Sequence, residues 1–308
     1  TVVKKAILLW LCGFLAACNM TAEGVEINAL TDARHPELRS SGQGGNTRVG
    51  WRAWRNIHPH QYNIVSSPHP VRYGEYSERF EAREGDCRDT DCESERGRGL
   101  RSEIHRDRGY REARINSDIW FGWSLYNETV EYRGSSYGIA PFFGQWKVNY
   151  DAPPVIVFSV GGRGPGAQYN VAAQLSDYYD SIGRNDGEVC FLWNINSERG
   201  RWVDIVMNTN FGNDGNGYLN IWINGEQRCS YQGIIVPREL GMDTNGSRFV
   251  GPLAMRGIWT GHHAVRWTER TGQPIPPLVV YYDEWRSGQS REEVDIRMIE
   301  ARGGPAVD

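Results

Sequence analysis

Apolar and polar residues alternate with a period of two along much of the chain between Val71 and Trp285, the signature of strands with one face buried. Tyr76, Glu78, Phe80 and Ala82 alternate with Ser77, Arg79, Glu81 and Arg83, and this run stops at Gly85-Asp86. Further strands are predicted over 119–126, 155–160, 189–193, 202–208, 218–223 and 278–285. Asn224-Gly225 falls between 218–223 and Gln227-Arg228-Cys229. Both turn residues accept positive φ, which predicts a tight antiparallel hairpin. Only 290–301 carries helix signals, with Ser290 and Glu293 at capping-box spacing. Val294, Ile296 and Met298 in that stretch still alternate like a strand, so the pattern leaves its type open. No linker interrupts the strands, and the predicted architecture is all-β: an antiparallel jelly roll or concanavalin-like sandwich, one domain over 51–308.

The start of the chain follows a different pattern. Lys4 and Lys5 precede an apolar run over 6–17, too short to cross a bilayer comfortably and arranged like a secretory signal, predicted over 1–17. Leu15-Ala16-Ala17-Cys18 resembles a bacterial lipobox. That resemblance implies lipidation of Cys18 and an outer-membrane lipoprotein, periplasmic or surface-facing, held to the membrane through its lipid anchor alone. Residues 18–50 are polar, Gly-rich and without period, and read as a tether or entry segment.

Composition sharpens the fold and narrows the partners. With 12 Trp, 15 Tyr, 9 Phe and 36 Gly the chain suits twisted sheets and turns better than helical bundles. A formal charge of −4 gives no whole-protein basic field, so nucleic acid is not an expected partner and a polyanion has to meet a local basic cleft. A monomer is expected. Beyond the signal, Cys87, Cys92, Cys190 and Cys229 suggest two disulfides in an oxidising compartment. Three pairings are open, and the short loop between Cys87 and Cys92 favours joining those two, which leaves Cys190 with Cys229. No cofactor is required. The acidic loop of Asp86, Asp89, Asp91 and Glu93 offers oxygen ligands for a structural Ca²⁺ and reads equally as a solvated loop clipped by Cys87–Cys92, while the turn Asn213-Asp214-Gly215-Asn216-Gly217 offers such ligands too but reads first as a plain hairpin turn.

Candidate chemistry concentrates in two alternating segments. On a strand, Arg101, Glu103 and His105 share one face, and a carboxylate beside Arg101 would hold its guanidinium fork for an acidic ligand. In Gln145-Trp146-Lys147-Val148-Asn149, the amides and the ammonium share one face while Trp146 and Val148 turn inward.

These motifs fall into an ordered series that resembles the heparin lyase I family of polysaccharide lyases. The series runs through the strand 71–86, Arg101-Ser102-Glu103, Phe121-Gly122-Trp123-Ser124-Leu125-Tyr126, Gln145-Trp146, the hairpin 218–225, Gly257-Ile258 and Tyr281-Tyr282-Asp283-Glu284-Trp285-Arg286-Ser287-Gly288. The resemblance implies a β-jelly roll that cleaves uronic-acid polysaccharides by β-elimination. It also implies Gln-x-His where this chain has Gln145-Trp146-Lys147, and Lys-x-Gly-Ile-Tyr where it has Met255-Arg256-Gly257-Ile258-Trp259. Three expected catalytic side chains are therefore replaced. The elimination needs a group to neutralise the uronate carboxylate, a base for the C5 proton and an acid for the leaving oxygen. Gln145 and Arg101 are candidates for the first role, Lys147 for the second, and Tyr150, Tyr282 or His262 for the third. Arg256 is a candidate subsite cation, and Trp259, Trp146 and Trp123 are candidate stacking surfaces. The competing expectation is a non-catalytic carbohydrate-binding lipoprotein of the same fold. A retaining hydrolase built on Glu293, Asp295 and Glu300 is set aside because the third acid lies too far along the chain.

Overall fold

The computed structural model describes residues 51–54, 58–87, 90–93, 99–106, 111–131, 141–148, 153–161, 170–175, 189–237, 240, 251–261 and 263–308. The predicted signal, Cys18 and the tether lie outside them. Among the described residues, fourteen strands form two antiparallel sheets. In chain order they are β1 (Trp51–Trp54), β2 (Tyr62–Val65), β3 (Ser77–Ala82), β4 (Arg101–Arg106), β5 (Ile119–Asn127), β6 (Phe142–Lys147) and β7 (Ile156–Val160). They continue as β8 (Asn170–Leu175), β9 (Val189–Asn194), β10 (Trp202–Thr209), β11 (Tyr218–Ile223), β12 (Glu226–Gln232), β13 (Leu253–Trp259) and β14 (Leu278–Gly288). Sheet A has the order β1-β4-β13-β6-β7-β8-β9 and sheet B the order β12-β11-β10-β5-β14-β3-β2. Strands far apart in sequence pair in both sheets, β4 with β13 and β5 with β14 among them, beside runs of sequential hairpins, which makes the protein a β-jelly roll.

The alternation read from sequence is the packing rule of the sandwich. Phe80, Ala82, Phe121, Trp123, Leu125, Trp146, Phe158, Ile205, Ile221 and Val280 all point between the sheets and are buried. Five aromatic rings meet in the centre: Trp123 lies 5.2 Å from both Phe158 and Trp285, and Trp146 5.6 Å from Phe121. Trp146 and Trp123, expected as stacking surfaces for sugar, are core residues, because each sits at an inward position of its strand. The Asn224-Gly225 hairpin forms as predicted between β11 and β12, with φ of 51° and 88°.

The segment with mixed signals is helical. Arg291–Val294 (α3) and Ile296–Ala301 (α4) follow α1 (Thr90–Glu93) and α2 (His263–Thr271), the last of which no periodicity had marked. The predicted capping box is not formed: Ser290 makes no side-chain cap, and Glu293 accepts a hydrogen bond from the Gln289 N–H instead, at 2.7 Å. Asp295 separates the two helices and caps α4 by accepting from the Arg297 N–H at 3.1 Å. Helix α3 lies directly on β5 at Gly122, where a Cβ would collide with the carbonyl of Val294. Val294, Ile296 and Ile299 are buried there, which covers that side of sheet B and leaves the outer face of sheet A as the place for a site.

Both expected disulfides are present. Cys87–Cys92 closes a short loop at the head of β4, with Cα atoms 5.2 Å apart. Cys190–Cys229 joins β9 to β12, the edge strands of the two sheets on the same side of the sandwich, with Cα atoms 5.4 Å apart.

Candidate active site on the outer face of sheet A

Strand register determines which side chains meet. Glu103 pairs with Gly257, His105 with Met255, and Met255 in turn with Gln145. Arg101, Glu103, His105, Gln145 and Lys147 therefore share the face of sheet A that points away from the core, while Ile104, Trp146 and Ile258 point into it. Gln145 donates to Glu103 through Nε2 at 2.7 Å, across the intervening strand β13. Arg101 donates to Glu103 through one terminal nitrogen and grips Asp91 with two more bonds, Nε to Oδ2 at 2.7 Å and a terminal nitrogen to Oδ1 at 2.9 Å. Lys147 stands two residues beyond Gln145 on the same face and is half-buried.

Gly257 makes the close pairing of β13 with β4 work. Its φ is 129°, and a Cβ there would meet the Ser102 carbonyl and lie 2.8 Å from the Phe80 ring. Trp259, at the end of β13, packs edge-on to Phe142 at 4.9 Å and lies 5.1 Å from the Arg101 guanidinium. Burial works against the Arg101 charge, but Glu103 and Asp91 outweigh it and raise its pKa above the ordinary guanidinium value.

This arrangement changes several expected roles. Arg101 was expected to grip the substrate carboxylate, yet it is 6% exposed and committed to Asp91 and Glu103. Its place is to hold Glu103, which holds Gln145. Arg256 does not line the face: it is 0% exposed, lies between the sheets over Trp51 at 3.7 Å and Trp285 at 4.8 Å, and binds Glu78 of sheet B with bonds of 2.7 and 2.9 Å. The reason is parity, since it sits two residues before the inward Ile258. Tyr282 is likewise inward and 1% exposed, with its hydroxyl donating to the Gly257 carbonyl at 3.3 Å. Burial pushes its pKa far above the phenol range, and its inward position keeps the hydroxyl away from a sugar on the outer face. His105 is buried, with Nδ1 3.0 Å from the Arg106 carbonyl. Tyr150 and His262 lie outside the described residues.

Asp91 was named only as part of an acidic loop. The signal that could have found its role is the Cys87–Cys92 bridge, which holds Asp91 near the start of β4. Asp86 is also engaged, accepting from the Arg83 N–H at 2.7 Å and facing His60 Nε2 at 2.8 Å. Among the described residues no group of three His, Cys, Asp or Glu is placed to hold a metal ion. In the second loop considered for Ca²⁺, Asp214 accepts from the Asn216 N–H at 3.0 Å in a local turn. Glu293 and Asp295 belong to helical turns, so they do not form the paired carboxylates of one strand face.

A fold of this kind is shared by known proteins. A family model described as polysaccharide lyase matches residues 44–295, and the chain belongs to that family. In structure it is similar to an endo-β-1,4-glucuronan lyase from the fungus Trichoderma reesei, with a TM-score of 0.50 and 13% identity over 76% of this chain and 90% of that one. It is also similar to alginate lyase A1-II′, with a TM-score of 0.45 and 11% identity over 74% of this chain and 82% of that one. No curated protein sequence matches the chain.

Proposed function

We propose that this protein cleaves a uronic-acid-containing polysaccharide by β-elimination on the outer face of sheet A. The observation that carries the reading is the chain of contacts from Asp91 through Arg101 and Glu103 to Gln145, which fixes one buried amide beside the half-buried Lys147 on the outward side of β6. With one Gln145 N–H spent on Glu103, the second is the donor that meets the C6 carboxylate and stabilises the charge that develops as C5 loses its proton. Lys147 takes that proton as its neutral amine and becomes the ammonium, and Tyr150 or His262 returns a proton to the leaving oxygen. Trp259 presents an aromatic surface beside the same row. Membership of the polysaccharide lyase family supports the reaction class, and the motif series supports a kinship with heparin lyase I within it. The lipobox-like Leu15-Ala16-Ala17-Cys18 supports an outer-membrane lipoprotein acting on polymer that reaches the cell envelope.

The test is absorbance of the unsaturated product on heparin, alginate and glucuronan. Wild type should release it from at least one of them, and Lys147→Ala should lower kcat about 10²- to 10⁴-fold with Tm unchanged. Binding without product on all three would leave the protein a carbohydrate-binding module of the same fold, a reading favoured by the internal pairing of Arg101.

A further inference from the structure

Three strands beyond β6, about 14 Å across the sheet, the far edge of the sandwich holds a cavity of about 470 Å³, a size that accommodates small organic ligands. One wall is the edge strand β9 with the turn after it, which contribute Phe191, Asn194 and Glu198. The other is the β11–β12 hairpin, which contributes Asn224, Glu226 and Arg228. Cys190–Cys229 ties the walls together, and Phe191 and Arg228 each adjoin one of its cysteines. The width of the cleft is thus set by a covalent bond.

The lining has a definite chemical character. Phe191 is 41% exposed, one of three large hydrophobic side chains in that state among the described residues. Asn194 spends its side-chain oxygen on the N–H groups of Asn196 and Ser197, both at 3.0 Å, and Asn224 spends its own on the Asp204 N–H at 2.9 Å. Each amide is therefore left with its NH₂, a donor, to offer a ligand. Arg228 is paired with Glu226 at 2.8 Å, and Glu198 supplies a carboxylate acceptor. Amide donors, a carboxylate acceptor and one aromatic face match the vicinal hydroxyls and C–H face of an uncharged sugar. A uronate would instead set its carboxylate against two lining carboxylates, Glu198 and Glu226, with the single guanidinium of Arg228 to offset them.

We propose that this cavity is a second carbohydrate site, separate from the Gln145 and Lys147 face, that takes a neutral sugar unit. It would let the protein hold a mixed or neighbouring glycan while the other face acts on the acidic polymer. The experiment is titration of the full chain with gluco-, manno- and xylo-oligosaccharides and with uronate oligosaccharides, followed by calorimetry, together with Phe191→Ala and Glu198→Ala. At least one neutral series should bind, both substitutions should weaken it, Phe191→Ala by about tenfold, and uronan turnover should be unchanged. Circular dichroism checks that each variant is folded. Failure of every neutral series to bind wild type, or equal affinity in wild type and Phe191→Ala, overturns the proposal. Neutral binding that persists in a protein without uronan turnover supports this site while sinking the lyase reading.

Discussion

Arg256 and Arg101 lie on neighbouring strands of one sheet and grip their carboxylates alike, each through Nε and a terminal nitrogen at 2.7 and 2.9 Å. Arg256 is turned inward, where Glu78 comes from sheet B and the pair joins the two layers between Trp51 and Trp285. Arg101 is turned outward, where Asp91 comes from the disulfide-closed loop and the pair positions Glu103 and Gln145. The same bidentate chemistry serves cohesion in one case and site geometry in the other. What decides is strand parity and not the ionic contact itself.

Breaking the inner pair should do most harm. Glu78→Ala leaves a guanidinium uncompensated in the core and is expected to cost about 3–5 kcal/mol, read by chemical denaturation. Replacing both partners at once, Arg256→Met with Glu78→Leu, should recover most of that loss. If the double variant is no more stable than the single one, the inner pair does more than fill and neutralise its space. Removing the edge-to-edge bridge with Cys190→Ser and Cys229→Ser should cost about 2–5 kcal/mol, and a stability equal to wild type under oxidising conditions would contradict its role as a clamp.

The outer pair should divide differently. Asp91→Asn weakens a charge-assisted bond to Arg101 and is expected to cost about 1–3 kcal/mol, but its larger mark should be on kcat, because Gln145 loses its support through Glu103. Equal kcat in Asp91→Asn and wild type would show that the relay from loop to amide is idle. Least affected should be Tyr282→Phe, which forfeits one hydroxyl bond to Gly257 worth about 1 kcal/mol. Its turnover should match wild type, and a large drop in kcat would return Tyr282 to the list of proton donors.

Much of this was legible in the chain. Alternation placed β3, β5, β7, β9, β10, β11 and β14 to within a few residues, and the same alternation put Arg101 with Glu103 and Gln145 with Lys147 on common faces. Applied to Met255-Arg256-Gly257-Ile258-Trp259 and to Val280-Tyr281-Tyr282, it would also have turned Arg256 and Tyr282 inward, since each shares parity with a core aliphatic residue. Motif matching overrode it in both places. What no local pattern held was partnership across the fold: Glu78 with Arg256 is separated by 178 residues and Gln145 with Glu103 by 42. The helix α2 is amphipathic at helical spacing but spans only nine residues, shorter than the stretch over which that period is read, and α3 and α4 are shorter still.

The absence of a single carbon at Gly257 carries further than its own strand. Even an alanine there would press on the Ser102 carbonyl, the Glu103 backbone and the Phe80 ring at once, so the two halves of the candidate face and the core packing beneath them would shift together. Position 257 thus ties the alignment of that face to the packing of the sandwich under it.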